Sequence, residues 1–281
     1  MIKKELYKNW YGSGEMNKNL FSRKQLAVPY AIFLLLFVII PLLVLIYFGF
    51  TDENGNISFA NFIRFFGSGK TIGTLLYSIV IALFTTVFCL LLAYPAAFFL
   101  AKGNFGKKQA FIMMFVLPMW INFTLRITAL KEILTLLEGN LAYHPFFNTI
   151  LCMVYDFLPF MILPLYQALC KLDNSLIEAA FDLGASEFQV FYKVVLPLSV
   201  PGIISGVTMV FLPSMTNYVV LDMVYNSTYI MGSLIGSYFS SYDWNNGSVI
   251  SVILLLMIGA VTLFSGRITK QEQAKRARVL K

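Results

Sequence analysis

Charge is what this sequence has least of. Asp, Glu, Lys and Arg make up 12% of its 281 residues, against about a quarter in soluble domains. With 58% of the chain hydrophobic, too little polar surface remains to cover a water-soluble globule of this size. Histidine occurs once, at His144, which excludes a histidine-based metal cluster. The three cysteines, Cys89, Cys152 and Cys170, fall inside or at the ends of apolar stretches. They have neither metal-ligand spacing nor paired external positions, and read as packing residues. No nucleophile, base and orienting group can be assembled from so few polar side chains, so an active site for covalent chemistry is not expected.

What the chain does have is long apolar runs. Charge-poor stretches extend over Ala27–Thr51, Thr71–Ala101, Gln109–Leu125, Val194–Leu221 and Trp244–Gly266, and a sixth, Asn148–Cys170, is interrupted only by Asp156. Most approach or exceed the roughly 20 residues that span a bilayer as a helix. Hydrocarbon offers no partner to backbone N–H and C=O groups, and runs of this length are too long for barrel strands, so the expectation is six transmembrane helices. The first run exceeds the roughly 7 to 15 residues of a signal-peptide core, comes after a long polar leader and lacks an A-x-A-like site, so it reads as a retained helix. Prolines recur within the runs, at Pro41, Pro95, Pro118, Pro159, Pro164, Pro201 and Pro213. They fit either kinks along a pathway or ordinary bends in a packed bundle.

The net charge of +7 is explained by where it sits. Lys3, Lys4, Lys8, Lys18, Arg23 and Lys24 precede the first run, and Lys102, Lys107 and Lys108 come after the second. Lys171 and Lys193 flank the connection after the fourth, and Arg267, Lys270, Lys275, Arg276, Arg278 and Lys281 close the chain. The alternate connections hold only Arg64, Lys70 and Lys131. The positive-inside rule then places both termini in the cytoplasm, in agreement with an even number of crossings. The expected organisation is a basic cytoplasmic leader over residues 1–26, a membrane domain over 27–266, and a basic cytoplasmic tail over 267–281.

Gly67-Ser68-Gly69-Lys70-Thr71 looks like the end of a phosphate-binding loop, but the G-x-x-x-x-G-K-[ST] pattern requires glycine where Arg64 stands. The expected topology also places it outside the cell, before a membrane helix and with no preceding core strand. ATP binding by this chain is not expected.

The connection between the fourth and fifth spans, residues 172–197, carries more information. Ser175 and Glu178 have capping-box spacing, which predicts a helix from Leu176 with Leu176, Ala179, Ala180 and Leu183 on one face. Gly184 comes next as a left-handed stop. Ser186 and Gln189 repeat the capping signal for a second helix with Phe188, Phe191 and Val195 on one side, before Pro197. Two capped amphipathic helices meeting at a glycine require either a soluble partner or a resting place against the membrane or the bundle.

Here the residues carry a resemblance. Glu178-Ala179-Ala180, Gly184 and Val194-Val195-Leu196-Pro197 resemble the EAA loop of ABC importer permeases, with valine in place of isoleucine. Ala93–Lys102, Pro118–Asn122 through Arg126, Leu158–Tyr166 and Pro201–Ile204 are similar to the spermidine/putrescine (PotB-type) permeases within that superfamily. The resemblance implies a type I importer permease fold. It also implies that Ser175, Glu178, Ala179, Ala180, Asp182, Gly184, Ala185, Leu196 and Pro197 belong to the coupling loop that docks on an ATPase subunit. The implied partners are a second permease (PotC-like), two ATP-binding subunits (PotA-like) and an extracellular polyamine-binding protein (PotD-like). ATP and Mg are held by the ATPase, and this chain carries no cofactor. Permeases for ferric ion, opines or other small solutes use the same scaffold, and an ion-coupled secondary transporter remains a different-class alternative.

A polyamine pathway calls for carboxylates at intervals with aromatic faces between them, where cation–π contact contributes about 0.5 to 2 kcal/mol. Trp120, Asn122, Arg126, Tyr155, Asp156, Tyr218 and Asp222 are the candidates, with Asp243 and Trp244 at the external entrance. A rise of about 1.5 Å per residue places Arg126 and Asp156 at similar heights, roughly 20 to 25 Å from the inner face. Two readings stand: a structural ion pair between them, or Asp156 facing the path and attracting an amine.

Overall fold

In the computed structural model, residues 23–279 are described except 53, 104, 105, 107 and 225–228. The leader therefore lies outside the described residues up to position 22. Apolar runs with no external partners for their backbone fold as helices throughout. Helix α1 is apolar over Ala27–Gly49 with a π turn at Leu35–Ile39; α2 is Ala60–Gly67, α3 Gly69–Lys102, α4 Lys108–Val116 and α5 Phe123–Glu138. Next come α6 Pro145–Cys170, α7 Asn174–Asp182, α8 Glu187–Thr216, α9 Tyr218–Val224, α10 Met231–Ser240 and α11 Trp244–Val279. By length and composition α1, α3, α6, α8 and α11 can each cross a membrane.

The remaining crossing is broken. Residues Ala110–Trp120 and Phe123–Glu138 meet at 95°, where the sequence suggests one helix through Gln109–Leu125. Pro118 lies in a 3-10 turn, Leu117–Trp120, and lacks the N–H a continuing helix needs. Asn122 then caps α5, its side-chain oxygen accepting from the Thr124 N–H at 2.9 Å and the Leu125 N–H at 3.4 Å. Together they stabilise a bend, and the straight-helix height assigned to Arg126 does not hold.

The phosphate-loop look-alike is the start of α3: the Ser68 hydroxyl accepts from the N–H and the hydroxyl of Thr71. At the far end α11 runs unbroken from Trp244 to Val279, so the basic tail continues the sixth span as helix through its described residues, 267–279.

Helices α3, α6 and α8 form the core, with Ile81, Cys89, Ala93, Cys152, Met161, Leu165 and Val210 buried among them. Helices α6 and α8 approach through Gly202 and Gly206, one turn apart. A Cβ on Gly202 would collide with the Ala168 side chain and sit 3.0 Å from the Pro164 carbonyl, so only glycine permits this spacing. A second cluster joins Met231 and Leu234 of α10 to Val249, Ile250 and Ile253 of α11. Helix α1 lies outside both, alongside α11. The chain just past its end is fastened where the Thr51 carbonyl accepts from the Asn61 amide at 2.8 Å and from the Asn245 amide.

Candidate functional site: an exposed helical hairpin at one end of the bundle

Helix α7 begins two residues before the expected start. Its N-cap is Asp173, whose carboxylate accepts from the Ser175 N–H at 3.0 Å, so Ser175 is the donor in the first turn. Both residues suit an N-cap, and the upstream one has taken the role. The other local signals hold. The Ala185 N–H donates to Ala180 O at 3.1 Å and the Gly184 N–H to Phe181 O at 2.8 Å, a Schellman stop with Gly184 at φ +79°. Ser186 and Gln189 form the reciprocal capping box of the second helix.

The burial pattern departs from the expected faces. Ile177, Ala180, Ala185 and Phe191 pack against the core, whereas Leu176, Glu178, Ala179, Phe181, Asp182 and Leu183 are exposed. The buried stripe of α7 is therefore rotated toward Ile177. In α8, Val195 is buried while Phe188 is 75% exposed, because a π turn over Phe191–Val195 inserts a residue into the repeat and rotates the rest of the helix. Phe188 instead stacks on exposed Tyr192, with ring planes 4° apart. Leu196 is half-buried and exposed Pro197 occupies the first turn of the straight part of α8. The result is a rigidly capped hairpin whose exposed surface carries Leu183, Phe188 and the small Ala179 beside the acids Glu178 and Asp182. That surface can seat a protein with an apolar groove and basic rim.

The candidate pathway residues fall in two groups. Trp120, Asn122, Arg126, Tyr155, Asp156, Tyr218 and Asp222 sit on the broken crossing, α6 and α9, which pack on one another. Within this group Trp120, Tyr155, Tyr218 and Asp222 are exposed on the subunit. Arg126 and Asp156 are instead buried and paired at 2.6 Å, so in this subunit the structural reading describes their geometry, and Asp156 faces a guanidinium. Arg126 Nε and Nη1 have no hydrogen-bond partner among the described residues. Asp243 and Trp244 lie apart. Asp243 starts α11 by accepting from the Asn246 N–H at 3.1 Å, and Trp244 packs against Phe239 and Phe48.

Three residues at the hairpin's base escape a reading of the sequence as site residues: Tyr94, Lys102 and Ser199. Lys102 Nζ donates to Leu172 O and Asn174 Oδ1, both at 2.7 Å, and Tyr94 bonds Ser199 across 105 positions of sequence at 2.7 Å. The recurrence of Tyr94, Phe98 and Lys102 every fourth residue is the available signal.

A family model described as binding-protein-dependent transport system inner membrane component matches residues 57–274. The spermidine/putrescine transport system permease protein PotB of Haemophilus influenzae is 34% identical over 274 residues, covering 90% of this chain and 95% of that protein. Its counterpart from Escherichia coli K12 is 35% identical over 212 residues, 70% of this chain and 77% of that protein. In three dimensions the chain is similar to a subunit of a bacterial alginate ABC transporter crystallised with its alginate-loaded periplasmic protein. That match has TM-score 0.70 and 14% identity, with 95% and 96% of the two chains covered. The inward-facing MetNI methionine ABC transporter matches at TM-score 0.56 and 17% identity, over 73% of this chain and 99% of the other. These two likenesses establish a shared fold.

Proposed function

The chain belongs to the binding-protein-dependent transport system inner membrane components, and from that premise we propose that it is the permease subunit of an ATP-driven spermidine/putrescine importer. It is a multi-pass inner membrane protein, and hydrolysis of ATP belongs to a separate subunit. The observation that carries the functional reading is the hairpin of α7 and the start of α8. Both of its helices are capped, its turn is locked by Gly184, and its apolar side chains Leu183 and Phe188 are exposed. An ATPase seated there would move α6 and α8, the two core helices to which the hairpin is covalently joined.

In this reading the hairpin and both termini are cytoplasmic, as the excess of Lys and Arg at that end supports. The working assembly holds this chain, a second and similar permease, two ATP-binding subunits and an extracellular binding protein for polyamines. The leader, membrane domain and tail keep the boundaries 1–26, 27–266 and 267–281. Substrate passes between the two permeases past Trp120, Tyr155, Tyr218 and Asp222, whose exposed aromatic rings and carboxylate suit an ammonium chain. The support for polyamines over other solutes is similarity to PotB proteins over most of the chain, since the alginate and methionine transporters share the fold at low identity.

Uptake of labelled spermidine by membrane vesicles carrying the complete transporter tests this. Unlabelled spermidine and putrescine are expected to compete, and iron chelates and amino acids are not. Competition by the chelates alone would reassign the substrate, and purification without any ATP-binding subunit would remove the importer reading itself.

A further inference from the structure

The backbone joins the hairpin to α6 and α8 only, yet α3 is the third member of the core. The end of α3 also faces the hairpin across a groove of about 630 Å³, bounded by Phe98 and Lys102 on one side and Ile177, Phe181 and Phe188 on the other. Directional contacts from one stripe of α3, Tyr94, Phe98 and Lys102, four residues apart and on one helix face, join it to the hairpin.

Lys102 Nζ donates to Leu172 O and Asn174 Oδ1, the two neighbours of the α7 cap Asp173, and so grips the hairpin where it begins. Phe98 and Tyr94 both meet Phe191 edge to face, with centroids at 6.0 and 5.6 Å and ring planes at 90° and 87°. Phe191 opens the π turn, where the hairpin ends. The Ser199 hydroxyl gives its proton to Leu196 O at 2.9 Å, so Tyr94 donates the buried 2.7 Å bond to Ser199. π turns inside α-helices are uncommon and concentrate at functional sites.

We infer that this stripe is a second, non-covalent attachment of the hairpin, and that Tyr94, Phe98 and Lys102 are positioning residues that carry α3 along when an ATPase moves the hairpin. The inference rests on the coupling role proposed above and adds to it that α3 is driven as directly as α6 and α8. Loss of the attachment leaves hydrolysis intact and lets part of each stroke fail to reshape the core.

The test is the ratio of ATP hydrolysed to spermidine imported, measured in one preparation of the complete transporter in proteoliposomes. Tyr94→Phe combined with Lys102→Met removes three hydrogen bonds and is expected to raise that ratio about fivefold or more. Lys102→Arg is expected to stay near wild type. Tyr94→Phe alone removes a single oxygen and decides the matter if the double variant does not assemble; a smaller rise in the same direction is expected. A ratio unchanged in both variants, or uptake and hydrolysis falling in step, overturns the inference and leaves the importer reading standing. If the wild-type transporter shows no ATP-dependent uptake, the importer reading fails first and takes this inference with it.

Discussion

Gly184 sits at φ +79° with no heavy atom within 4 Å of the point a Cβ would occupy, so what forbids a side chain there is backbone conformation. The left-handed region disfavours most L-residues by about 1 to 2 kcal/mol, and Asn tolerates it better. Gly184→Ala is therefore expected to weaken capture of the ATPase several-fold, and Gly184→Asn to weaken it less, measured by co-purification from detergent. A different physics governs Arg126 and Asp156. Two guanidinium nitrogens of Arg126 are buried without a partner among the described residues, so the carboxylate of Asp156 is the main compensation for a charge held away from water. Asp156→Ala should destabilise the subunit by about 3 to 5 kcal/mol, whereas replacing both residues by Met and Leu should cost much less. Thermal unfolding of the single and double variants in detergent checks this. Should Asp156→Asn abolish uptake while leaving stability untouched, the carboxylate serves the substrate after all.

At the scale of elements, helix ends were the most legible features and tertiary faces the least. Ser186, Gln189 and Gly184 act within a few residues of themselves, and their caps appear where spacing placed them. Asp173 outcompeted Ser175 because both satisfy the same local rule and sequence offers no arbiter. The Asp173 carboxyl is held below the usual carboxylate value, first by the Ser175 backbone N–H, then by the Ser175 side chain, with Lys102 contributing. A lowered native pKa means the cap is fully present above the unfolded value of about 3.9. It is lost only as pH falls through the still lower native value. Transport should thus show no dependence on this group between about pH 5 and 8. Asp173→Asn, an equally good cap, should preserve coupling that Asp173→Ala impairs. The broken crossing was hidden because hydropathy sums composition and is blind to direction. Pro118 and Asn122 were the visible signs. Asn122→Ala should loosen α5 by about 1 kcal/mol, read as faster hydrogen exchange over Phe123–Ile127.

For the whole molecule, orientation and pathway are the properties to test. A cysteine placed at exposed Leu183 is expected to react with a membrane-impermeant thiol reagent only in inside-out vesicles; labelling from the outer side would invert the topology and remove the hairpin from any cytosolic ATPase. Asp222→Asn should raise the KM for spermidine several-fold with ATPase assembly intact, and an unaltered KM would take Asp222 out of the pathway. The amino-acid sequence alone determined that this chain spans a membrane as helices, how many crossings to expect, which end bears the positive charge, and that a capped hairpin with a glycine corner connects α6 to α8. Each of those comes from transfer of apolar side chains out of water or from hydrogen bonds a few residues apart. Only the tertiary structure decided that Arg126 pairs with Asp156, that the third crossing turns through 95°, and that Tyr94 reaches Ser199. Contacts between residues far apart in the chain depend on how helices rotate and cross, which is set by packing at places such as Gly202 and leaves no period in the sequence.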